Sequence, residues 1–376
     1  MDFTLGPELG AFQARAREYV ASDVMCQIEP YEETSTFPAE IFRAMGREGF
    51  IGVSLPGEYG GLDLGTLGFC ILSEEVAKAS AGLTHNGHYQ TQRMLLRRGT
   101  DEQKAKYLSK LVSGEYVAAM AISEPGVGSS FEKMQTSAKK VDGGYVLKGF
   151  KTNINDAAEA DVVTTFAVAD EGLTIFLVDK GNPGFQVLRK LDPMGMRSSP
   201  LYEFALRDCH IPREQVLGKP GRALAVFFEA FNFSRLGNAS ALLGIARFAF
   251  EQALAFAAKR EVGHRKVSEF QGIRWMLAEM KTRTEAAALL RDRAAVMEDQ
   301  GQDAALECSM AKLLCGEVAM GVVPQAIEIM GSYGTLRTSP LPRLLLDAKT
   351  LCIAGGTLEV MKNNIAGQLL GRGDKQ

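Results

Sequence analysis

Apolar positions along the chain change their spacing twice, and the two changes divide it into three parts. Over residues 1–118 they recur at helical intervals, which predicts an α-helical domain. Thr100 opens the clearest helix there, with Gln103 three residues on as a capping-box partner and Gly114 as a C-terminal stop. Pro56-Gly57-Glu58-Tyr59-Gly60-Gly61 reads as a turn-rich loop. Over 119–217 the period falls to that of strands. Lys139–Val141 and Tyr145–Leu147 flank Asp142-Gly143-Gly144, and Val162–Val168 and Leu173–Val178 flank Asp170-Glu171-Gly172. Both read as hairpins, so this third is expected to be an antiparallel β domain. Over 218–376 helical spacing returns in long Ala- and Leu-rich runs at 235–259, 268–298 and 303–330, the pattern of a C-terminal helical bundle.

Composition narrows the functional classes. The chain has 376 residues, 46% of them hydrophobic and 23% charged, with a formal net charge of -3. That balance is ordinary for a soluble globular protein and gives no basic face for nucleic acid. The first twenty residues are polar and amphipathic and do not read as a signal peptide, and no run of consecutive apolar residues suggests a membrane span. The six cysteines are scattered without a CxxC pair, which predicts buried reduced thiols and a cytoplasmic setting. No GxGxxG after a strand and no Walker motif occurs.

One loop carries more information. Ala121-Ile122-Ser123-Glu124-Pro125-Gly126-Val127-Gly128-Ser129-Ser130 combines glycines, which let backbone N–H groups approach a ligand, with the hydroxyls of Ser123 and Ser129. This segment resembles the signature of the acyl-CoA dehydrogenase family. Further landmarks follow in order: Gly60-Gly61, Gly195 to Ser199, Ile211-Pro212 through Gly218, Arg235 through Gly244, Phe270-Gln271, Gly331 through Gly334, Asp347 to Lys349 and Gly356-Thr357. The resemblance implies an α+β fold with an N-terminal helical domain, a middle antiparallel β domain and a C-terminal four-helix bundle. It also implies FAD as cofactor and an acyl thioester, carried on CoA or an acyl carrier protein, as substrate.

Carried over residue by residue, the resemblance assigns Ile122, Ser123, Gly128, Ser129, Asn153, Asn155, Gln271, Glu328, Gly331 and Thr357 to the flavin. Arg260 would reach a flavin held by a neighbouring subunit, which implies a homodimer or homotetramer. Arg235 and Ser129 would lie near the thioester. Several positions depart from the family pattern. Asn153 stands where relatives have an aromatic residue, and Asn155 where they have a hydroxyl residue that bonds near flavin N5. Val262-Gly263 replaces a Gln-Phe, and Glu328 replaces a glutamine.

The largest departure concerns the base. Relatives remove the α-proton of the thioester with a Glu placed either immediately before Gly-Thr or before an arginine in the first helix of the bundle. Here those positions are Gly355 and Ser234. The backbone N–H of Gly355 would still serve as a carbonyl donor. On this reading Gly355→Glu is expected to restore simple dehydrogenation. In Thr84 to Gln92, His85, His88 and Gln92 are expected to share a helical face lining a polar acyl pocket, with His88 the candidate replacement base.

The leading expectation is α,β-dehydrogenation of an acyl thioester, with a redox-neutral elimination, cyclisation or isomerisation as its rival. A catalytically degenerate subunit of a hetero-oligomer and a flavin-dependent monooxygenase are the other two readings. No metal site is expected.

Overall fold

The computed structural model describes residues 4–371. Six helices form the N-terminal part: α1 (Pro7–Tyr19), α2 (Glu29–Thr34), α3 (Ala39–Arg47), α4 (Gly65–Ala79), α5 (Asn86–Arg98) and α6 (Asp101–Val112). At the start of α6 the Thr100 hydroxyl accepts from Gln103 N and the Gln103 side chain accepts from Thr100 N, so the expected capping box is present in both directions. Gly114 follows the helix with φ +71°, a conformation that a side chain would resist.

The middle part holds strands β1 (Ala118–Ala121), β2 (Ser137–Val141), β3 (Gly144–Asn155), β4 (Val162–Ala169), β5 (Gly172–Asp179), β6 (Phe185–Lys190), β7 (Leu201–Pro212) and β8 (Val216–Leu217). They form one eight-stranded sheet in the order β6-β7-β3-β2-β4-β5-β8, with β1 beside β4. Both expected hairpins are there, β2 with β3 and β4 with β5. The expectation of a purely antiparallel sheet needs correcting, because β1 and β2 each pair with β4 in parallel. Each reaches β4 across an intervening crossover rather than a tight turn, and a crossover permits parallel pairing.

The C-terminal part contains α7 (Ala223–Lys259), a short hairpin of β9 (Glu261–Val262) and β10 (Arg265–Lys266), α8 (Gln271–Asp299), α9 (Ala305–Met330), α10 (Ser332–Thr335), α11 (Leu341–Ile353) and α12 (Leu358–Leu369). Helices α7 and α9 are long and apolar enough to cross a membrane by composition alone. Here they are core helices packed against each other and against α8, and α4 packs on both α7 and α8. From Phe233 to Ala246 every residue of α7 is buried.

Burial on all sides sets the chemistry of the helix faces. A Cβ on Gly244 would fall 2.0 Å from the Glu74 carbonyl oxygen, so α4 and α7 touch backbone to backbone at that point. Charges in the same layer are paired: Arg291 donates to Glu74 at 2.8 Å and to Ser240 at 2.9 Å, and Arg247 meets Glu74 at 3.1 Å. The three parts of the chain meet at a second buried cluster. Asp347 of α11 accepts from Met196 N at 2.7 Å and Ala81 N at 3.3 Å, and Glu32 accepts from Ser198 N and Arg197 N at 3.2 Å. Burial, with Glu32 adding repulsion, pushes the Asp347 carboxyl up to about 6. Of the cysteines, Cys26 is exposed and the other five are buried, all free, so the expectation of buried thiols holds for five of the six.

Gly244→Ala tests the close crossing. Overpacking of this kind costs typically about 1–3 kcal/mol, so thermal unfolding followed by circular dichroism should show a lower midpoint for the variant. A midpoint equal to that of the parent would mean that α4 and α7 have room to spare.

Candidate active site

The Ser123–Ser129 loop leaves β1 and is pinned from below. Lys151 of β3 is fully buried, donates to Glu124 at 2.8 Å and to the Ile122 carbonyl at 3.1 Å, and Glu124 also accepts from Gln135 N and Thr136 N. Burial opposes charge on Glu124, but Lys151 and these two N–H groups outweigh it and hold the carboxyl below its usual range. Burial draws Lys151 down to about 8, against the pull of Glu124, so both groups are ionised at neutral pH. Above this anchor the loop is open. Ser129, Gly126 and Gly128 are exposed, Ser123 is half-buried, and a Cβ on either glycine would meet nothing within 4 Å. The N–H groups of Gly126, Gly128 and Ser129, and the hydroxyls of Ser123 and Ser129, have no partner among the described residues.

Asn153 sits at a break in the β3–β7 register with φ +55°, a left-handed conformation that asparagine tolerates better than most residues, and its side chain is exposed. Asn155 behaves differently from the expectation. Its amide donates to the Ser199 carbonyl at 2.9 Å and the Ser199 hydroxyl at 3.0 Å, and that hydroxyl donates to Asp156. The Asn155 amide group is therefore occupied within the protein and is not the free donor that the flavin N5 role asks for. Asp156 in turn bonds His85 Nδ1 at 3.2 Å.

The shared face of His85, His88 and Gln92 is not a pocket lining. His85 is in a left-handed conformation before α5, its ring packed 5.1 Å from both Phe37 and Phe42. His88 is 1% exposed, its Nδ1 accepts from Ala118 N at 3.0 Å and its Nε2 lies 3.1 Å from the Leu111 carbonyl. Gln92 donates to the Ile51 carbonyl at 3.2 Å. The Ala118 N–H occupies the lone pair that a base would use, and burial, helped by His85, pushes the imidazole down to about 3. His88 is therefore a structural residue joining α5 to β1, not a base.

The segment before α12 is built from a neighbouring helix. Lys312, fully buried in α9, donates to the carbonyls of Ala354 and Gly356, one on each side of Gly355. Asn238 of α7 donates to the Ala354 carbonyl at 3.3 Å and accepts from Asn86 of α5. With both flanking carbonyls held inward, the Gly355 N–H has no acceptor among the described residues. Gly355 has φ +65°, and a Cβ there would fall 2.5 Å from Asn238 Nδ2. Burial, with Arg235 adding repulsion, lowers Lys312 to about 7. The hydroxyl of Thr357 accepts from Val360 N and caps α12. Ser234 is buried in α7, and Arg235 beside it donates to Asn232 at 3.2 Å and lies over the Phe231 ring at 4.5 Å.

Arg260, Gln271, Glu328 and Gly331 are all exposed. Arg260 lies 5.5 Å over the ring of Tyr333, which brings it to the turn after α9 that contains Gly331. Ile122, by contrast, is buried beneath the signature loop, where only its carbonyl is engaged.

Three domain profiles match this chain in order: "Acyl-CoA dehydrogenase, N-terminal domain" over residues 6–115, "middle domain" over 119–209 and "C-terminal domain" over 221–370. The chain belongs to the acyl-CoA dehydrogenase family. It is 36% identical over 371 residues to the mitochondrial 2-methylacyl-CoA dehydrogenase of Solanum tuberosum, covering 95% of this chain and 90% of that protein. The solved butyryl-CoA dehydrogenase of Megasphaera elsdenii superposes with a TM-score of 0.95 at 30% identity, covering 98% of this chain and 100% of that one. An FAD complex of PigA superposes at 0.94 with 29% identity, covering 99% and 100% respectively. As an acyl-CoA dehydrogenase family member the chain is a flavoprotein oxidoreductase with FAD as cofactor. The open signature loop, with its uncommitted N–H and hydroxyl groups, fits that cofactor. The Asn155 amide does not contribute a donor to it.

Sequence reasoning missed Lys312, Asn238 and Asn86. The available signal was polarity in the wrong place: Lys312 interrupts an otherwise apolar stretch of α9, and Asn238 lies within the wholly buried run of α7.

The reading of His88 predicts a pH effect on stability. Its pKa is about 3 in the folded chain against 6.5 for the free side chain, so the unfolded state binds more protons between those values. The stability that neutral His88 provides is complete above pH 6.5 and is lost as pH falls towards 3, by about 1.4 kcal/mol per pH unit within the window. His88→Gln should have a lower melting midpoint at pH 7 and a shallower fall on acidification than the parent. Parallel curves for the two proteins would show that His88 is not buried in its neutral form.

Proposed function

We propose that this flavoenzyme acts on an acyl thioester, on CoA or an acyl carrier protein, without the enzyme carboxylate that relatives use to remove the α-proton. The observation that carries the proposal is the geometry at Gly355. Its N–H has no partner among the described residues and is free to receive the thioester carbonyl, while its left-handed conformation, φ +65°, disfavours a side chain. The other family position for a base is Ser234, a neutral residue.

On this reading the chain's residues divide the work. Ser123, Ser129 and the N–H groups of their loop hold FAD, which when bound supplies a two-electron acceptor. The Gly355 N–H, fixed by Lys312 and Asn238, stabilises negative charge on the carbonyl oxygen. Arg235 and Ser129 stand towards the thioester. The reaction class is α,β-oxidoreduction of an acyl thioester, and neither Gly355 nor Ser234 supplies a carboxylate to accept the α-proton. The absence of a carboxylate at both positions also favours a second reading, a redox-neutral elimination or isomerisation. Exposed Arg260, with Phe270 and Trp275 uncovered nearby in sequence and Tyr333 uncovered beside it in space, supports assembly as a homodimer or homotetramer.

The geometry also corrects the expectation for Gly355→Glu. A side chain at φ +65° is strained and meets Asn238, so this substitution should lower stability rather than restore activity.

Anaerobic bleaching of the bound flavin by butyryl-CoA and octanoyl-CoA tests the proposal. Loss of a positioned base costs ~10²–10⁴-fold, so bleaching should be slower than in carboxylate-bearing relatives by that order. Gly355→Glu should bleach no faster than the parent. Parent bleaching at rates equal to those relatives would overturn the proposal.

A further inference from the structure

Helix α5 carries a second polar row, on the side opposite His88 and Gln92. Asn86, Gln90 and Arg93 recur at i, i+4 and i+7 and so share one face. Each holds an enclosed polar atom without a hydrogen-bond partner: Asn86 Oδ1, Gln90 Nε2 and Arg93 Nε. Gln90 is 3% exposed and Arg93 9%.

Arg93 is the most demanding of the three. Its guanidinium lies 5.2 Å over the Phe233 ring, and no hydrogen bond or ion pair joins it to any described residue. The two carboxylates that act on it through space are engaged elsewhere. Glu298 accepts from Asn232, and Asp299 accepts from the N–H groups of Thr66 and Leu67 at the start of α4. Arg97 adds repulsion. A cation this deeply buried is costly to leave unpaired, and buried charges in folded proteins are accordingly paired.

The row leads directly from the proposed reaction centre. Gly355 touches Asn238, Asn238 bonds Asn86, and Arg93 lies seven residues further along α5, ~10 Å at the helical rise. We propose that this face receives the acyl chain of the substrate and that Arg93 pairs with a carboxylate at its far end. The substrate class is then the thioester of a medium-chain dicarboxylic acid. This inference rests on the acyl-thioester reading above.

Isothermal titration calorimetry on the FAD-loaded protein separates the two claims. The probes are octanoyl-CoA and suberyl-CoA, equal in chain length and differing by the terminal carboxylate. Suberyl-CoA should bind at least ten-fold more tightly. Arg93→Met should remove that preference, and Arg93→Lys should keep part of it. Octanoyl-CoA binding as tightly as suberyl-CoA overturns the carboxylate inference and leaves the thioester reading standing, as does a preference that survives in Arg93→Met. Binding of neither probe overturns the thioester reading and this inference with it. If Arg93→Met does not fold, the parent comparison together with Arg93→Lys decides the matter.

Discussion

Everything in the site follows from the complete burial of the middle of α7. No face of Phe233 to Ala246 reaches water, so each polar group there must find its partner in protein or ligand. Small residues let neighbouring helices close in, as Gly244 does against Glu74. Polar residues then bridge to those neighbours: Ser240 to Arg291 of α8, and Asn238 to Asn86 of α5 and to the Ala354 carbonyl before α12. The long helix is therefore both the centre of the core and the frame against which α5, α9 and the 354–357 segment are set.

The segment around Gly355 shows how that frame becomes chemistry. An irregular stretch between α11 and α12 would ordinarily place its carbonyls in water. Here Lys312 takes two of them and Asn238 supports one, which leaves the intervening N–H without a partner among the described residues. A donor held this way needs no rearrangement when charge develops on a nearby oxygen. The same segment turns at Gly355 with φ +65°, a conformation that favours glycine, so the donor and the missing side chain sit at one residue.

Signals confined to a few neighbouring residues were legible in the sequence. The Thr100–Gln103 box, the Gly114 stop and the Asp142-Gly143 and Asp170–Gly172 turns depend on local backbone chemistry and are all present. The change of period marked the sheet, but the parallel pairings of β1 and β2 with β4 rest on contacts between residues distant in sequence. Family landmarks led to FAD and to the empty base positions. The polar face of α5 was misassigned for a physical reason. That helix is buried on more than one side, so a polar row does not reveal whether its partners are backbone groups or a ligand. His88 satisfies the Leu111 carbonyl and the Ala118 N–H, while Gln92 Oε1 and His85 Nε2 lack partners as do atoms of Asn86, Gln90 and Arg93; what sets the second row apart is its cation, Arg93. Which atoms of either row lack partners is visible only in three dimensions.

At Gly355 the amide end of Asn238 lies 2.5 Å from where a first side-chain carbon would be, and the backbone has a left-handed turn that favours glycine. On the reading proposed above, no carboxylate stands at the α-carbon, and the charged group that recognises the substrate is Arg93 at the far end of the acyl chain. A thioester bearing its own carboxylate would then be held from both ends, by the Gly355 N–H at the carbonyl and by the guanidinium at the tail. Position along the chain would be fixed by two charge-directed contacts rather than by the fit of an apolar tail, which accounts for a cation, Arg93, on this face of α5.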